Sequence, residues 1–182
     1  MAPDQSPPFD VRRYGRAGAE LADRVWPCYD EVFGDFGDFD TWRADMFARH
    51  AARSGYRLVV ALQGVAVAGF SWGYIGERGQ YWPDLVAGAL PRVAEEWVGG
   101  HFEFVTLGVA PKYRRSGLGG LLHDTLLDGV GRNALLGTTD DPADPAVRLY
   151  LSRGWRKLGV LSPGRQVMGL SHSNAASLDD QS

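Results

Sequence analysis

The sequence predicts an α/β protein of the α+β kind, a central mixed sheet flanked by helices. Three observations carry that expectation. Stretches with strand alternation exchange with stretches of helical spacing in the order β-α-α-β-β-(α)-β-α-β-α-β-β. Two pairs of strand-like runs are separated only by tight-turn residues, at Gln63-Gly64 and at Ser162-Pro163-Gly164-Arg165, as in antiparallel hairpins. One apolar strand, "HFEFVTLGV", runs into a turn of glycines and arginines and then into a leucine-rich helix.

Each element has a local reason. Phe9 to Tyr14 reads as a first strand. Leu21, Val25, Tyr29 and Val32 lie along one face of a helix, which Pro27 weakens or kinks. Asp40 is placed to cap a second helix through Trp42, Met46 and Phe47 to about Ser54. "YRLVVAL" and "VAVAGFSWGYI" form the first hairpin. Gly76 to Gly100 reads as an inserted helical piece, with Pro83 at a first helical position and Pro91 bending it. After the strand His101 to Val109 comes a helix from Leu118 to about Gly131, then the strand "ALLGTTD". Asp144 and Pro145 cap and start a helix that Gly154 closes. The strands "WRKLGVL" and "RQVMGL" end the pattern. Residues 1–8 and 172–182 are small and polar and are expected to be disordered, leaving 9–171 as one domain.

Composition narrows the function classes. With 22 acidic against 19 basic residues the net charge is -3, which disfavours nucleic-acid binding through phosphate attraction. A single cysteine, Cys28, excludes an internal disulfide and a cysteine zinc cluster. His50, His123 and His172 are scattered, so no metal is expected, and His123 beside Asp124 reads as a solvated helix face. No apolar run approaches a membrane span and the start lacks a secretory pattern, so the expected location is the cytoplasm, without a membrane partner. A homodimer is compatible with the sequence.

The stretch "VAPKYRRSGLGGLL" carries the chemistry. The first amides of a helix have no internal partner, and together with the helix dipole they attract an anion. Gly117, Gly119 and Gly120 remove side chains that would hold a phosphate away, and Arg114 and Arg115 add positive charge. A dinucleotide fingerprint lacks its third glycine because Leu122 stands there, and the Gly-Lys-Ser/Thr of a Walker loop is missing.

Arg114-Arg115-Ser116-Gly117-Leu118-Gly119 resembles the Arg/Gln-x-x-Gly-x-Gly/Ala element of GNAT N-acetyltransferases. "AVRLYLSRGW" resembles the same family's Ala-x-x-Leu-Tyr-x-x-x-Gly-Phe segment, with Trp155 for Phe. The resemblance spans Phe102 to Trp155 and implies acetyl-CoA as cosubstrate. Its pyrophosphate would lie against Arg114, Arg115, Ser116, Gly117, Leu118, Gly119 and Gly120. Its pantetheine arm would lie along Leu107, Gly108 and Val109, and the strand before the loop would splay from "ALLGTTD". Where many relatives carry a cofactor-contacting asparagine, seven residues before the tyrosine, this chain has Ala143; Thr139, Asp140 and Asp141 are nearby polar groups.

Acetyl transfer to an amine needs a neutral nucleophile, although an alkylamine has a pKa of about 10.4, and it must release a thiolate of pKa about 8.5. The resemblance makes Tyr150 the acid that protonates the departing sulfur and Glu103 the base that deprotonates the amine through water, with His101 or solvent as the alternative. Strand alternation puts His101, Glu103, Val105 and Leu107 on one side. Phe70, Trp72 and Tyr74 share a face, and with Trp42, Tyr81 and Trp82 they form either an aromatic wall for the acceptor or ordinary packing. The Gly76–Gly100 insertion is the expected lid or specificity element. The expected activity is direct transfer, in a ternary complex, to a primary amine of a small molecule. The alternatives are a protein lysine or N-terminal acetyltransferase and a non-catalytic acyl-CoA-binding module.

Overall fold

The structure, a computed structural model, describes residues 9–175. In chain order its elements are β1 (Asp10–Tyr14), α1 (Ala19–Val32), α2 (Phe39–Trp42), a π-helical turn (Arg43–Phe47), α3 (Ala48–Ala51), β2 (Arg57–Gln63), β3 (Ala66–Gly76), α4 (Tyr81–Ala89) and α5 (Pro91–Trp97). There follow β4 (His101–Val109), a 3-10 turn (Pro111–Tyr113), α6 (Leu118–Leu127), β5 (Ala134–Thr139), α7 (Pro145–Ser152), β6 (Arg156–Ser162), β7 (Arg165–Leu170) and α8 (His172–Ala175). The strands make one mixed seven-stranded sheet in the order β1-β2-β3-β4-β5-β7-β6. Among the described residues β4 and β5 form the parallel pair. They pair at Phe102–Ala134 and Glu103–Leu135, near the start of both strands. The segments expected to be disordered, 1–8 and 172–182, lie outside the described residues except for His172–Ala175, which is a short helix.

The chain divides into two compact units, each drawn from two separate stretches. The first holds the chain up to Gly73 together with Thr106–Asp128. Along β3 the side chains alternate: Phe70 and Trp72 meet an aromatic cluster from α1 to α3, while Gly69 and Ser71 face α6. Tyr29 stacks on Phe70 at 5.8 Å and on Trp72 at 6.1 Å. The π-helical turn aligns residues five apart, which brings Trp42 and Phe47 to 4.9 Å. Trp42, Phe70 and Trp72 are fully buried, so in this unit the aromatics are core packing and not an acceptor wall.

On the other side of β3, Leu118, Leu122 and Leu126 bury one stripe of α6. His123 is buried as well, in contrast to the solvated face expected for it, and its Nδ1 lies 2.7 Å from Asp124 Oδ1. The carboxyl end of α6 is held by two guanidinium groups. Arg13 donates to the Thr125 and Asp128 carbonyls, and Arg57 donates to those of Leu126 and Asp128.

The second unit holds Tyr74–Val105 and the chain from Gly129 onward. Here lies the Gly76–Gly100 insertion, the expected lid or specificity element. It forms two helices packed into a core: Val86, Ala94, Trp97 and Val98 bury against Leu135 and Val167. The close approach depends on bare strand positions, since a Cβ on Gly159 would stand 2.7 Å from Leu90 and one on Gly169 would stand 2.7 Å from Trp97. An element docked this way is part of the hydrophobic core.

Several local expectations shift by a few residues. Asp38, not Asp40, caps α2, because its carboxylate accepts both the backbone N–H and the hydroxyl of Thr41. Those bonds favour its charged form and hold its pKa below the usual value. Asp40 pairs instead with Arg43. The first hairpin turns at Gly64-Val65, since Gln63 pairs with Ala66. Pro83 is the third residue of α4, and Pro91 separates α4 from α5 as the first residue of the latter. α6 stops at Leu127. Pro27 does not interrupt α1. Among the described residues no helix is long and apolar enough to cross a membrane.

Two predictions follow from the packing. A Cβ on Gly69 would stand 2.8 Å from Leu122 Cδ1 and 2.9 Å from the Gly108 carbonyl oxygen. Gly69→Ala should therefore lower unfolding free energy by about 1–3 kcal/mol in urea titration, although alanine normally improves a strand interior. Burial also holds His50 and His101 down from 6.5 to about 4. Below pH 6.5 the unfolded chain binds protons that the folded rings refuse, so stability rises with pH across this window. The urea midpoint should fall steadily as pH drops from 6.5 toward 4; a flat midpoint would mean that neither ring is desolvated.

Candidate active site

The glycine-arginine loop belongs to the first unit. β4 ends at Val109, the 3-10 turn follows, and Arg115 and Gly117 both adopt left-handed backbone, with φ of 62° and 82°. A left-handed residue leading into a right-handed helix points successive N–H groups into one concavity. No side chain caps the start of α6. Ser116, the nearest hydroxyl, donates instead to the Tyr113 carbonyl at 2.6 Å. The first amides of α6 are therefore left to an outside acceptor.

The two arginines differ. Arg114 Nε donates to the Val109 carbonyl at 3.2 Å, which braces the loop against the end of β4. Arg115 is exposed, and its guanidinium has no side-chain partner among the described residues. Leu118 and Gly120 are buried, Gly119 is half-buried, and Arg114 through Gly117 are exposed. Leu107 and Val109 are half-buried and flank buried Gly108, whose missing side chain makes room for the Phe70 ring. This set of free amides, two exposed arginines and bare glycine backbone fits a diphosphate by its donor chemistry.

Glu103 and Tyr150 belong to the second unit. Glu103 is 6% exposed, and its Oε1 accepts from the Tyr74 hydroxyl at 3.1 Å. His101 Nε2 lies 4.0 Å from Glu103 Oε2, on the same strand face. Tyr150 is 7% exposed and packs edge-on to Phe104 at 5.9 Å and against Trp155 at 5.8 Å. Phe104 and Glu103 are neighbours on β4 and leave it on opposite faces, so the two candidates have different surroundings. Burial, helped by the Asp144 carboxylate, raises the Tyr150 pKa above its ordinary value.

Around Ala143, the side chains of Thr139, Asp141 and Asp144 take part in local hydrogen bonds. Asp141 accepts from the Ala143 N–H at 2.8 Å, Thr139 Oγ1 accepts from the Asp141 N–H, and Asp144 caps α7. Burial pushes the Cys28 thiol up to about 12, which leaves it protonated and unreactive. Among the described residues no group of three or more His, Cys, Asp or Glu side chains is arranged to hold a metal ion.

Sequence reading leaves Tyr74 as either part of an acceptor wall or packing and misses that its hydroxyl donates to Glu103. It also misses Gly76, whose bare backbone accommodates both His101 and Glu103. The β3–β4 pairing is the only signal that brings these residues together, and strand alternation on each strand alone does not reveal it.

The sequence profile of the acetyltransferase (GNAT) family matches residues 19–155. No curated protein matches the chain in sequence. Among solved structures, a GNAT-family protein from Desulfovibrio desulfuricans is 20% identical with a TM-score of 0.63, over 90% of this chain and 99% of that one. The ribosomal-protein-S18-alanine N-acetyltransferase from Escherichia coli is 15% identical with a TM-score of 0.60, over 89% and 94%. An aminoglycoside 6'-N-acetyltransferase complexed with coenzyme A is 16% identical with a TM-score of 0.61, over 90% and 97%. These structures share the fold, and the profile covers the larger part of the chain, including both the glycine-arginine loop and the Tyr150 segment; the chain therefore belongs to the GNAT acetyltransferase family.

Proposed function

We propose that the protein transfers the acetyl group of acetyl-CoA to a primary amine of a small molecule, by direct attack within a ternary complex. One observation carries the reading: the start of α6 has no capping side chain, and exposed Arg115 stands beside it. The names of the aminoglycoside and Escherichia coli neighbours both put the acetyl group on nitrogen, in keeping with an amine acceptor.

In this reading the amides of Gly117 to Gly120 and the Arg115 guanidinium hold the diphosphate, with Arg114 and Ser116 stiffening the turn. The main chain of Leu107, Gly108 and Val109 pairs with the pantetheine arm as it would with an added strand. Glu103 takes a proton from the ammonium, directly or through water. The neutral nitrogen then attacks the thioester carbonyl carbon, and the carbon–sulfur bond breaks with its electron pair on sulfur. Tyr150 gives its proton to the departing sulfur as the carbon–sulfur bond breaks. The nitrogen loses two protons in all; one balances the proton on sulfur and the other goes to solvent.

The first test is release of free thiol from acetyl-CoA against a panel of aminoglycosides, polyamines, amino acids and peptides with free lysine or N-terminal amines. Turnover confined to the peptides would assign a protein substrate, and coenzyme A uptake without any turnover would assign a binding module. Arg115→Ala should weaken coenzyme A binding by about tenfold or more in calorimetry, and the loss should shrink at high salt. An unchanged affinity would place the diphosphate elsewhere. Tyr150→Phe should lower kcat by about a hundredfold with little change in acetyl-CoA affinity, and equal kcat would remove the phenol from the reaction. Glu103→Gln should flatten the alkaline-rising limb of the pH–rate profile; an unaltered limb would assign deprotonation to another group.

A further inference from the structure

His101 is a buried polar side chain to which the proposed reaction gives no role. Its side chain is 1% exposed. Nδ1 accepts from the Gly99 N–H at 3.2 Å, so in the neutral ring the proton sits on Nε2. That Nε2–H has no hydrogen-bond partner among the described residues, and leaving such a donor dry is costly.

What surrounds the ring gives the donor a direction. Across it lies Glu103 Oε2 at 4.0 Å, with the Tyr74 hydroxyl on the other carboxylate oxygen. Gly76 makes the arrangement possible, since a Cβ there would collide with His101 Nε2 and Cε1 and stand 3.0 Å from Glu103 Oε2. From α4 the Trp82 ring comes to 6.5 Å of the imidazole, and the same ring lies over Gly137, where a Cβ would stand 3.2 Å from Trp82 Nε1. The inserted helix therefore places one aromatic ring beside the imidazole.

We propose that His101 is a positioning residue for Glu103, its Nε2–H restraining Oε2 while Tyr74 restrains Oε1, so that the carboxylate presents one fixed edge to the amine. The inference rests on Glu103 being the base. Burial favours the neutral ring, so the restraint adds no positive charge that would compete for the carboxylate. At 4.0 Å the contact is longer than a hydrogen bond, and it closes when substrates load, as catalytic hydrogen bonds do.

The test uses the full-length chain with His101→Phe, which removes the donor, and His101→Gln, which can place an amide N–H near the Nε2 position. With acetyl-CoA and the amine of the panel that turns over fastest, His101→Phe should lower kcat/KM about tenfold across the pH range, at unchanged coenzyme A affinity. His101→Gln should recover to within about threefold of the parent. Equal losses in the two variants, or none in His101→Phe, would overturn the role. If Glu103→Gln turns over like the parent, the base assignment fails; if Glu103→Gln is slow and His101→Phe is not, only the present inference fails. A second measurement needs no acceptor. In 15N-labelled protein the His101 ring should be the Nε2–H tautomer. An Nδ1–H tautomer would overturn the proposal without any turnover.

Discussion

The seat of α6 is the constraint on which the first unit depends. A helix carries partial positive charge at its amino end and partial negative charge at its carboxyl end. Here Arg13 and Arg57 meet the carboxyl end through the Thr125, Leu126 and Asp128 carbonyls, while the amino end has no capping side chain. Between the ends, Leu118 and Leu122 lie against Gly69, and the Ser71 hydroxyl donates to the Leu122 carbonyl. The helix is thus held along its length and at its negative end, leaving its positive end available. Arg115 and Gly117 hold left-handed backbone at that end, and the packed helix that follows gives the turn a rigid base.

The second unit solves a different problem, keeping a carboxylate and an imidazole inside an apolar setting. Each of these groups answers to specific neighbours: Glu103 to Tyr74, and His101 to the Gly99 amide. The insertion serves the same end. Its helices bury Val86, Ala94 and Trp97 against β5 and β7, and Trp82 stands beside the imidazole. The Gly76–Gly100 stretch, expected as a lid or specificity element, contributes buried residues to this core. Its apolar side chains give the buried polar groups a low-dielectric surrounding in which their contacts count for more.

Much of the fold could be read directly, because the signals were local. Strand alternation at Phe70 and Trp72, the spacing of Leu118, Leu122 and Leu126, and the Asp144-Pro145 helix start each depend on a few adjacent residues. The second hairpin turns at Pro163-Gly164 as the turn chemistry demands. Local reading failed where two neighbouring residues offered the same chemistry, as with Asp38 and Asp40, and where burial comes from a distant element, as with His123. The π-helical turn has no local signature. Its aromatic contact between Trp42 and Phe47 exists only once a core is there to receive both rings.

By itself the sequence determined the order of elements, the family-like loop and tyrosine segment, and the departure at Ala143, since all of these lie in runs of contiguous residues. Tertiary structure alone decided that Ser116 turns its hydroxyl to the Tyr113 carbonyl, that the insertion contributes to the core, and that Glu103 meets Tyr74 and faces His101 above a bare Gly76. Those outcomes rest on strand register and helix docking. Both are set by contacts between residues far apart in the chain, which no local pattern encodes.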